Sequence, residues 1–302
     1  MMKKQSYHIR HITAMVIACL FIGNLSAQSK DSMVYKPVEC PPGFTSQLDV
    51  VYTKAAGWEG KMDIYLPPKG KTPVPLAISI HGGGWNHGTK EVVNRFNLFF
   101  DRGYAVANIE YRLTGQATAP AAVEDTRSAL IYLIQHAQQL NIDIHKIVLV
   151  GSSAGGHLAL MGGLLGNDHR FDTHCAGVVP VKVAAIIDNY GITDVWDWGY
   201  GVARSHSAIN WLGDKAKDHD FAMSVSPLSY INKNSPPVFI VHGDADAVVP
   251  YQQSQELHKK LLASGVKTRF ITVPGGHHGK FTAEQNSGIN KEIIRFLKEL
   301  HL

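Results

Sequence analysis

The residue best placed for nucleophilic chemistry is Ser153, which lies in the sequence Gly-Ser-Ser-Ala-Gly at residues 151–155. An apolar run at 148–150 precedes this motif, and a helix-forming run at 156–161 follows it. A serine hydroxyl attacks well only when a base takes its proton. A sharp turn between a strand and a helix exposes the hydroxyl and directs helix N–H groups toward the oxygen that becomes negative. The pattern therefore predicts a nucleophilic serine at a strand–turn–helix junction.

Two acids follow a later apolar run, in the sequence His-Gly-Asp-Ala-Asp at residues 242–246. Open parallel sheets place functional side chains at the carboxyl ends of their strands. One of these carboxylates can orient an imidazole, while the other is expected to cap the turn or the next helix. We predict that Asp246 is the orienting acid, with Asp244 as the alternative.

The candidate base lies in the sequence Pro-Gly-Gly-His-His-Gly at residues 274–279, directly after a strand-like run at 268–273. The chain order serine, acid, histidine is typical of one hydrolase fold. Adjacent side chains point apart, so only one of the two histidines can reach Ser153. We predict His278, and His277 remains the alternative.

Three consecutive glycines follow another strand-like run, in the sequence His-Gly-Gly-Gly-Trp at residues 81–85. Glycines destabilise regular elements, and a close approach of the backbone to a developing oxyanion would explain them. The N–H groups of Gly83, Gly84 and Ala154 are therefore the predicted oxyanion hole. His81 is expected to order this loop rather than act as the base. The alternative is a plain flexible loop.

The elements that must position these residues alternate between strand and helix, which predicts one α/β domain with a mostly parallel central sheet and helices on both faces. Runs at 48–54 and 61–66 have no helix between them and predict an antiparallel edge hairpin. The remaining predicted strands lie near 75–80, 104–109, 146–150, 184–189, 238–242 and 268–273, and the predicted helices near 121–138, 154–165, 252–264 and 283–300.

A cap-like insertion at about residues 193–234 interrupts the alternation of strands and helices before the strand that carries the acid. Long segments without a clear strand are more often functional than without a function. It holds four aromatic residues, Trp196, Trp198, Tyr200 and Trp211. They predict either an aromatic surface that holds an apolar or sugar-linked group, or a small core of the insertion itself.

Together these motifs resemble the α/β-hydrolase superfamily and, within it, the feruloyl-esterase-like, hormone-sensitive-lipase-related carboxylesterase group. The resemblance covers about residues 47–300. It implies the α/β-hydrolase fold and ester hydrolysis, and it selects His278, because the base in this group directly precedes a glycine. The chain departs from the group at Ser152, where many relatives carry an acidic residue, and in its doubled histidine. The matching segments are 62–67, 81–85, 103–106, 111–113, 119–125, 151–158, 242–250 and 274–279.

The first residues predict export. Basic residues precede a short apolar run, and Leu-Ser-Ala at 25–27 offers a cleavage site for a signal peptide, which predicts a secreted or periplasmic protein. The run is too short to span a bilayer stably. Lipidation at Cys19 is the alternative. The predicted organisation is a signal peptide at 1–27, an N-terminal extension at 28–46 and an α/β-hydrolase domain at 47–302.

The charge balance gives no reason to expect a nucleic-acid partner. Residues 1–27 carry three basic and no acidic side chains, so their removal lowers the net charge from +4 to +1. The histidines are scattered, and no metal or other cofactor is expected. Cys40 and Cys175 could pair in an oxidising compartment, although their sequence separation says nothing about their distance.

The predicted function is a secreted serine hydrolase that cleaves carboxylic esters. The resemblance suggests a small-molecule or polysaccharide-linked ester, with acetyl or feruloyl groups on plant polysaccharides. The alternatives are an amidase, peptidase or formamidase-like enzyme on the same fold, a long-chain lipase, and a non-catalytic binding protein. The sequence predicts no particular oligomeric state.

Overall fold

The computed structural model describes residues 35–175, 177 and 179–302. The predicted signal peptide at 1–27 and the alternative lipidation site at Cys19 lie outside the described residues. Of the predicted N-terminal extension, residues 35–46 are described. Their apolar members, including Val38 and Phe44, pack against the domain, and the Phe44 ring lies 4.9 Å from that of Phe100.

Eight strands form one sheet in the described part of the chain, in the order β1-β2-β4-β3-β5-β6-β7-β8. The strands are Thr45–Ala55 (β1), Trp58–Leu66 (β2), Val74–Ile80 (β3), Ala105–Ile109 (β4), Ile142–Ser152 (β5), Ala185–Asn189 (β6), Val238–Gly243 (β7) and Thr268–Val273 (β8). Strands β3 to β8 are mutually parallel, and the antiparallel pair β1–β2 forms one edge. The predicted mostly parallel sheet and the predicted edge hairpin are confirmed.

The helices lie on both faces of this sheet, as predicted. They are Asn97–Phe100 (α1), Ala121–Gln135 (α2), Ala137–Leu140 (α3), Ala154–Leu164 (α4), Val195–Tyr200 (α5), His206–Leu212 (α6), His219–Ser224 (α7), Tyr251–Ala263 (α8) and Ala283–Glu299 (α9). Short 3₁₀ turns lie at Lys90–Val92, Gly213–Lys215 and Pro227–Tyr230. The single helix predicted near 121–138 is two helices, because His136 leaves the helical conformation and its imidazole bonds the Tyr132 carbonyl.

Strand periodicity divides the core into two layers. Alternate residues of a strand point to opposite faces, so Ile78 and Leu149 face one apolar cluster while Ala77 and Val148 face the other. Helices α2, α4 and α8 cover the first face, and α1 and α9 cover the second. Every residue of α4 is buried, which is typical of a helix that is apolar on all sides.

The two layers also separate the described cysteines. Cys40 packs against the second apolar cluster and Cys175 against the first, and both are free thiols. Because the sheet lies between the two clusters, the pairing left open by the sequence is not formed. None of the helices in the described residues combines the length and apolar character that a membrane crossing requires.

Candidate active site

Ser153 lies at a sharp turn between β5 and α4. Its backbone has φ 57° and ψ −122°, a left-handed conformation, and its N–H donates to the Asn189 carbonyl at 2.9 Å. The flanking glycines are sterically required. A methyl group on Gly151 would lie 2.1 Å from the Gly155 carbonyl oxygen, and one on Gly155 would lie 2.2 Å from the Ile80 carbonyl oxygen. The turn therefore presents the Ser153 hydroxyl, with Ala154 beginning the helix behind it.

The side chains of Ser153, His278 and Asp246 form one hydrogen-bonded line. Ser153 Oγ lies 2.9 Å from His278 Nε2, and His278 Nδ1 lies 2.7 Å from Asp246 Oδ2. Since the carboxylate only accepts at neutral pH, Nδ1 carries the proton and Nε2 accepts from the serine. The structure thus brings together the three predicted residues from the ends of β5, β7 and β8.

Asp246 is held by further hydrogen bonds besides the one from His278. Its Oδ1 accepts the backbone N–H groups of Val248 and Val249 at 2.8 and 3.0 Å, and its Oδ2 lies 3.2 Å from His242 Nε2. Its carboxylate side chain is fully buried. Burial disfavours the charge, but the hydrogen bonds from His242, His278 and the Val248 N–H outweigh it and hold the pKa of Asp246 well below its usual range. The acid therefore remains ionised beside the imidazole.

Asp244 and His277, the alternatives to Asp246 and His278, bond elsewhere. Asp244 Oδ1 accepts the Gly275 N–H at 2.7 Å, and His277 Nδ1 lies 2.9 Å from the Ala245 carbonyl oxygen, to which it donates. Both side chains tie the loop after β8 to the loop after β7, and neither takes part in the bonded line. Among the described residues, no three His, Cys, Asp or Glu side chains are grouped as ligands for a metal ion.

The glycine loop lies directly against the nucleophile turn. A methyl group on Gly82 would lie 3.4 Å from Ser153 Cβ. Gly83 and Gly84 have φ values of 120° and 55°, which side chains rarely adopt, and the Gly83 carbonyl accepts the N–H groups of residues 86 and 87. The loop is therefore a bonded turn beside Ser153, although binding of an oxyanion by its N–H groups stays a prediction.

The buried side chain of His81 holds the glycine loop in place. It is 1% exposed, and its ring stacks on Tyr111 with centroids 4.2 Å apart. The Tyr111 hydroxyl donates to the His81 carbonyl at 3.0 Å, and the neighbouring Arg112 forms a buried ion pair with Asp125 at 2.8 Å. Burial lowers the pKa of His81 to about 4, so the ring is neutral at pH 7. These contacts fit the predicted ordering role.

A family model described as BD-FAE matches residues 62–261, about two thirds of the chain. The chain belongs to the BD-FAE family. The matched range includes the glycine loop, Ser153 and Asp246, and it ends before His278.

Several proteins that are similar to this family member are named as esterases. Esterase LipC of Mycobacterium tuberculosis is 26% identical over 76% of the chain, and an acetyl esterase of Salmonella dublin is 29% identical over 66%. The chain spans 59% and 63% of these two proteins. A solved truncated form of a carbohydrate esterase from gut microbiota superposes with a TM-score of 0.74 and 28% identity. The match covers 85% of this chain and 96% of that one. The α/β-hydrolase fold predicted from the motifs is confirmed.

Sequence reasoning missed one neighbour of His278, the predicted base, in this BD-FAE family member. The ring of Tyr190 lies edge-on to His278 with centroids 4.8 Å apart, and a methyl group on Gly279 would lie 2.5 Å from the Tyr190 hydroxyl. Tyr190 also packs edge-on against Phe281, with ring centroids 5.9 Å apart. Its position directly after β6 is the signal that could have found it, because the carboxyl ends of parallel strands meet at one edge of the sheet.

The insertion at 193–234 divides its aromatic residues between core and surface. Trp198 and Trp211 are buried and pack on Trp85, with centroid distances of 5.5 and 4.2 Å. Trp196 and Tyr200 form a more exposed pair with centroids 4.4 Å apart. The two buried rings therefore pack into the main apolar core rather than a separate core of the insertion, and an aromatic surface that holds a substrate group stays a prediction. A methyl group on Gly84 would lie 3.1 Å from the Ser207 hydroxyl, so the insertion contacts the glycine loop, and its role as a cap stays a prediction.

Proposed function

We propose that this BD-FAE family member is a serine hydrolase of carboxylic esters, with Ser153 as nucleophile, His278 as base and Asp246 as orienting acid. The observation that carries the proposal is the unbroken hydrogen-bonded line from Ser153 Oγ through His278 to the buried, ionised Asp246. A hydroxyl bonded to an imidazole, which is itself oriented by a carboxylate, is the arrangement needed to activate serine.

The reaction follows from these positions in two steps. Ser153 Oγ attacks the ester carbonyl carbon while His278 Nε2 takes its proton, and His278 then gives that proton to the leaving alcohol as the acyl–enzyme forms. Water next attacks the acyl–enzyme, with His278 again taking and returning the proton. Asp246 stabilises the imidazolium in both steps, and the N–H groups of Gly83, Gly84 and Ala154 bind the oxyanion. One such donor contributes roughly 2.7–4 kcal/mol in comparable enzymes.

We further propose that the substrate is an acetyl or feruloyl ester carried by a plant polysaccharide, cleaved after export from the cell. The carbohydrate esterase from gut microbiota and the acetyl esterase among the relatives support the carbohydrate and acetyl parts. The motif resemblance supports the feruloyl part, and the apolar run and cleavage site at the N-terminus support export. The exposed Tyr200, which packs on the half-buried Trp196, supplies an aromatic surface for stacking of a sugar ring.

The test compares hydrolysis of p-nitrophenyl esters of increasing acyl length, methyl ferulate, acetylated xylan and a p-nitroanilide. Ser153→Ala and His278→Ala are each expected to lower kcat by at least about a thousandfold, since triad members act as one unit. The matched variant His277→Ala, one residue away and exposed, is expected to stay within about threefold because its bond is to a loop carbonyl. Turnover that persists in Ser153→Ala would refute the proposed nucleophile. Cleavage of the anilide but of no ester would make the protein an amidase.

A further inference from the structure

A cavity of about 430 Å³ opens beside the candidate active site, on the face of the sheet opposite α4. It lies at the carboxyl ends of β3, β5, β6 and β7, between the segment that leads into α1 and helix α9. Its volume is within the range of small-molecule sites. Ser152 and Gly279 line it, while their neighbours Ser153 and His278 do not. Tyr190 lines it too and packs on His278, so this ring separates the cavity from the proposed base.

The cavity combines an apolar floor with polar groups near its mouth. Buried residues such as Phe99 and Ile293 form the floor. The amides of Asn97 and Asn290 are at its exposed side, as is the Oδ1 of Asn286, whose Nδ2 donates to the Phe281 and Thr282 carbonyls. These groups can hydrogen-bond a ligand whose body rests on the apolar floor.

The mouth of the cavity is positively charged. Of the described residues that line the cavity, Arg95 is the only charged one. Arg95 is exposed, and it forms no ion pair within the described part of the chain. A wider depression that continues past Arg95 adds the cation Lys291 and no acid among its described lining residues. A smaller depression on another side of Arg95 has one acid, Glu39, among its described lining residues.

We propose that this cavity, which we call the Arg95 cavity, binds a small ligand that carries a carboxylate. The planar guanidinium presents parallel N–H donors that match the two oxygens of a carboxylate, and an unpaired arginine at the edge of an apolar pocket is free to receive them. The asparagine amides then bond hydroxyl groups of the ligand. Two sources share this chemistry, namely a free carboxylic acid such as ester hydrolysis releases, and a uronic acid unit of a polysaccharide. The binding of a carboxylate does not depend on the proposed hydrolysis, and only the released acid as its source rests on that proposed function.

The test is calorimetric titration of the purified protein with galacturonate, glucuronate, acetate and ferulate. Each acid except acetate is paired with a neutral analogue, namely galactose, glucose and coniferyl alcohol. At least one acid is expected to bind at least about tenfold more tightly than its neutral analogue, because a paired charge is lost in the analogue. Preference for the uronates identifies a polysaccharide unit as the source, and preference for acetate or ferulate identifies a released acid.

Variants of the residues that line the Arg95 cavity test whether the acid binds there. Arg95→Gln is expected to weaken binding of that acid by at least about tenfold, since the glutamine keeps a similar length without the charge. Asn290→Trp narrows the mouth from the exposed side of α9 and is expected to weaken it as well. The matched control is Arg295→Gln, since Arg295 is also exposed on α9 but lies outside the cavity. This variant and Ser153→Ala are each expected to change the dissociation constant of that acid by less than about twofold. Equal binding of acids and neutral analogues, or binding that is unchanged in Arg95→Gln, would overturn the proposal, as would the absence of saturable binding.

Discussion

At Asp246, two imidazoles share one carboxylate. His278 faces the serine, whereas His242 lies on the other side, fully buried, with Nε2 3.2 Å from Asp246 Oδ2 and 3.0 Å from the Val249 carbonyl oxygen. Ser254 Oγ lies 2.7 Å from His242 Nδ1 and fixes the ring. Since Nε2 must be the donor to both oxygens, Nδ1 accepts from Ser254. His242 therefore acts on the reaction only through Asp246, as a positioning residue.

We predict that His242→Ala lowers kcat by about tenfold or more with little change in KM, because a hydrogen bond to a charged group contributes about 1.5–3 kcal/mol. Loss of this bond also raises the pKa of Asp246 toward its usual range, so on acidification Asp246 takes up a proton, and activity falls, at a higher pH than in the wild type. His242→Gln keeps an N–H donor and is expected to restore part of kcat. The measurements are steady-state kinetics against pH, with melting temperatures to monitor folding.

The control for this prediction is His258→Gln on α8. The His258 side chain is half-buried and bonds Thr268 rather than Asp246. This variant is expected to leave the pH profile unchanged. If His242→Ala loses stability but keeps the wild-type kcat and pH profile, His242 has only a structural role.

The nucleophile turn depends on how three elements meet. Strand β5 delivers Ser153, helix α4 begins directly after it, and the end of β3 lies against the first turn of that helix. The approach is so close that position 155 has no room for a side chain, since its Cβ would lie 2.2 Å from the Ile80 carbonyl oxygen. The glycine motif is therefore a packing requirement of this junction as well as a conformational one.

We predict that Gly155→Ala lowers activity by at least about a hundredfold, because α4 must shift and carry the Ser153 hydroxyl away from His278. The matched control is Gly288→Ala within α9, where a methyl group meets nothing within 4 Å. That change is expected to stabilise the protein by up to about 1 kcal/mol, as alanine favours helix more than glycine does. Activity and urea unfolding of both variants provide the measurement. Wild-type activity in Gly155→Ala would show that the junction tolerates the shift.

The molecule as a whole holds several ionisable groups in its interior. Asp188 at the end of β6 is fully buried, and burial raises its pKa to about 7, with only the Gly191 N–H opposing. His157 in α4 is also fully buried, and burial lowers its pKa to about 4. The two groups act on stability in opposite directions. Folding keeps a proton on Asp188 that the unfolded chain releases, and it keeps His157 neutral where the unfolded chain takes up a proton.

Because folding raises the pKa of Asp188, the folded protein is expected to lose stability as the pH rises. Between about pH 4 and 7 the folded protein binds the proton and the unfolded protein does not, so the free energy of unfolding falls by up to about 1.4 kcal/mol per pH unit and levels off above pH 7. Asp188→Asn removes this dependence and leaves that of His157. We therefore expect the stability of the variant relative to wild type to increase as pH rises through this window. Urea unfolding at several pH values measures it, and parallel curves for the two proteins would contradict it.

The sequence alone determined the strand–helix alternation, the edge hairpin and the turns that carry Ser153, Asp246 and His278. Each of these depends on local chemistry, because an apolar run followed by glycines and one reactive side chain specifies a strand end and a turn. Parallel connectivity then places all such ends at one edge of the sheet. The export signal stays a prediction, since residues 1–27 lie outside the described part of the chain.

Local chemistry left open which of the two nearby acids and which of the two adjacent histidines meet, and the tertiary structure decided it in favour of the pair that the sequence analysis predicts. Asp244 and His277 have the same chemistry as their neighbours, and only the course of two loops turns Asp246 and His278 toward Ser153. The tertiary structure alone decided the surroundings of Tyr190, His242 and the Arg95 cavity. Their neighbours come from strands and helices far apart in the chain, and local sequence patterns carry no information about which side chains such distant segments bring into contact.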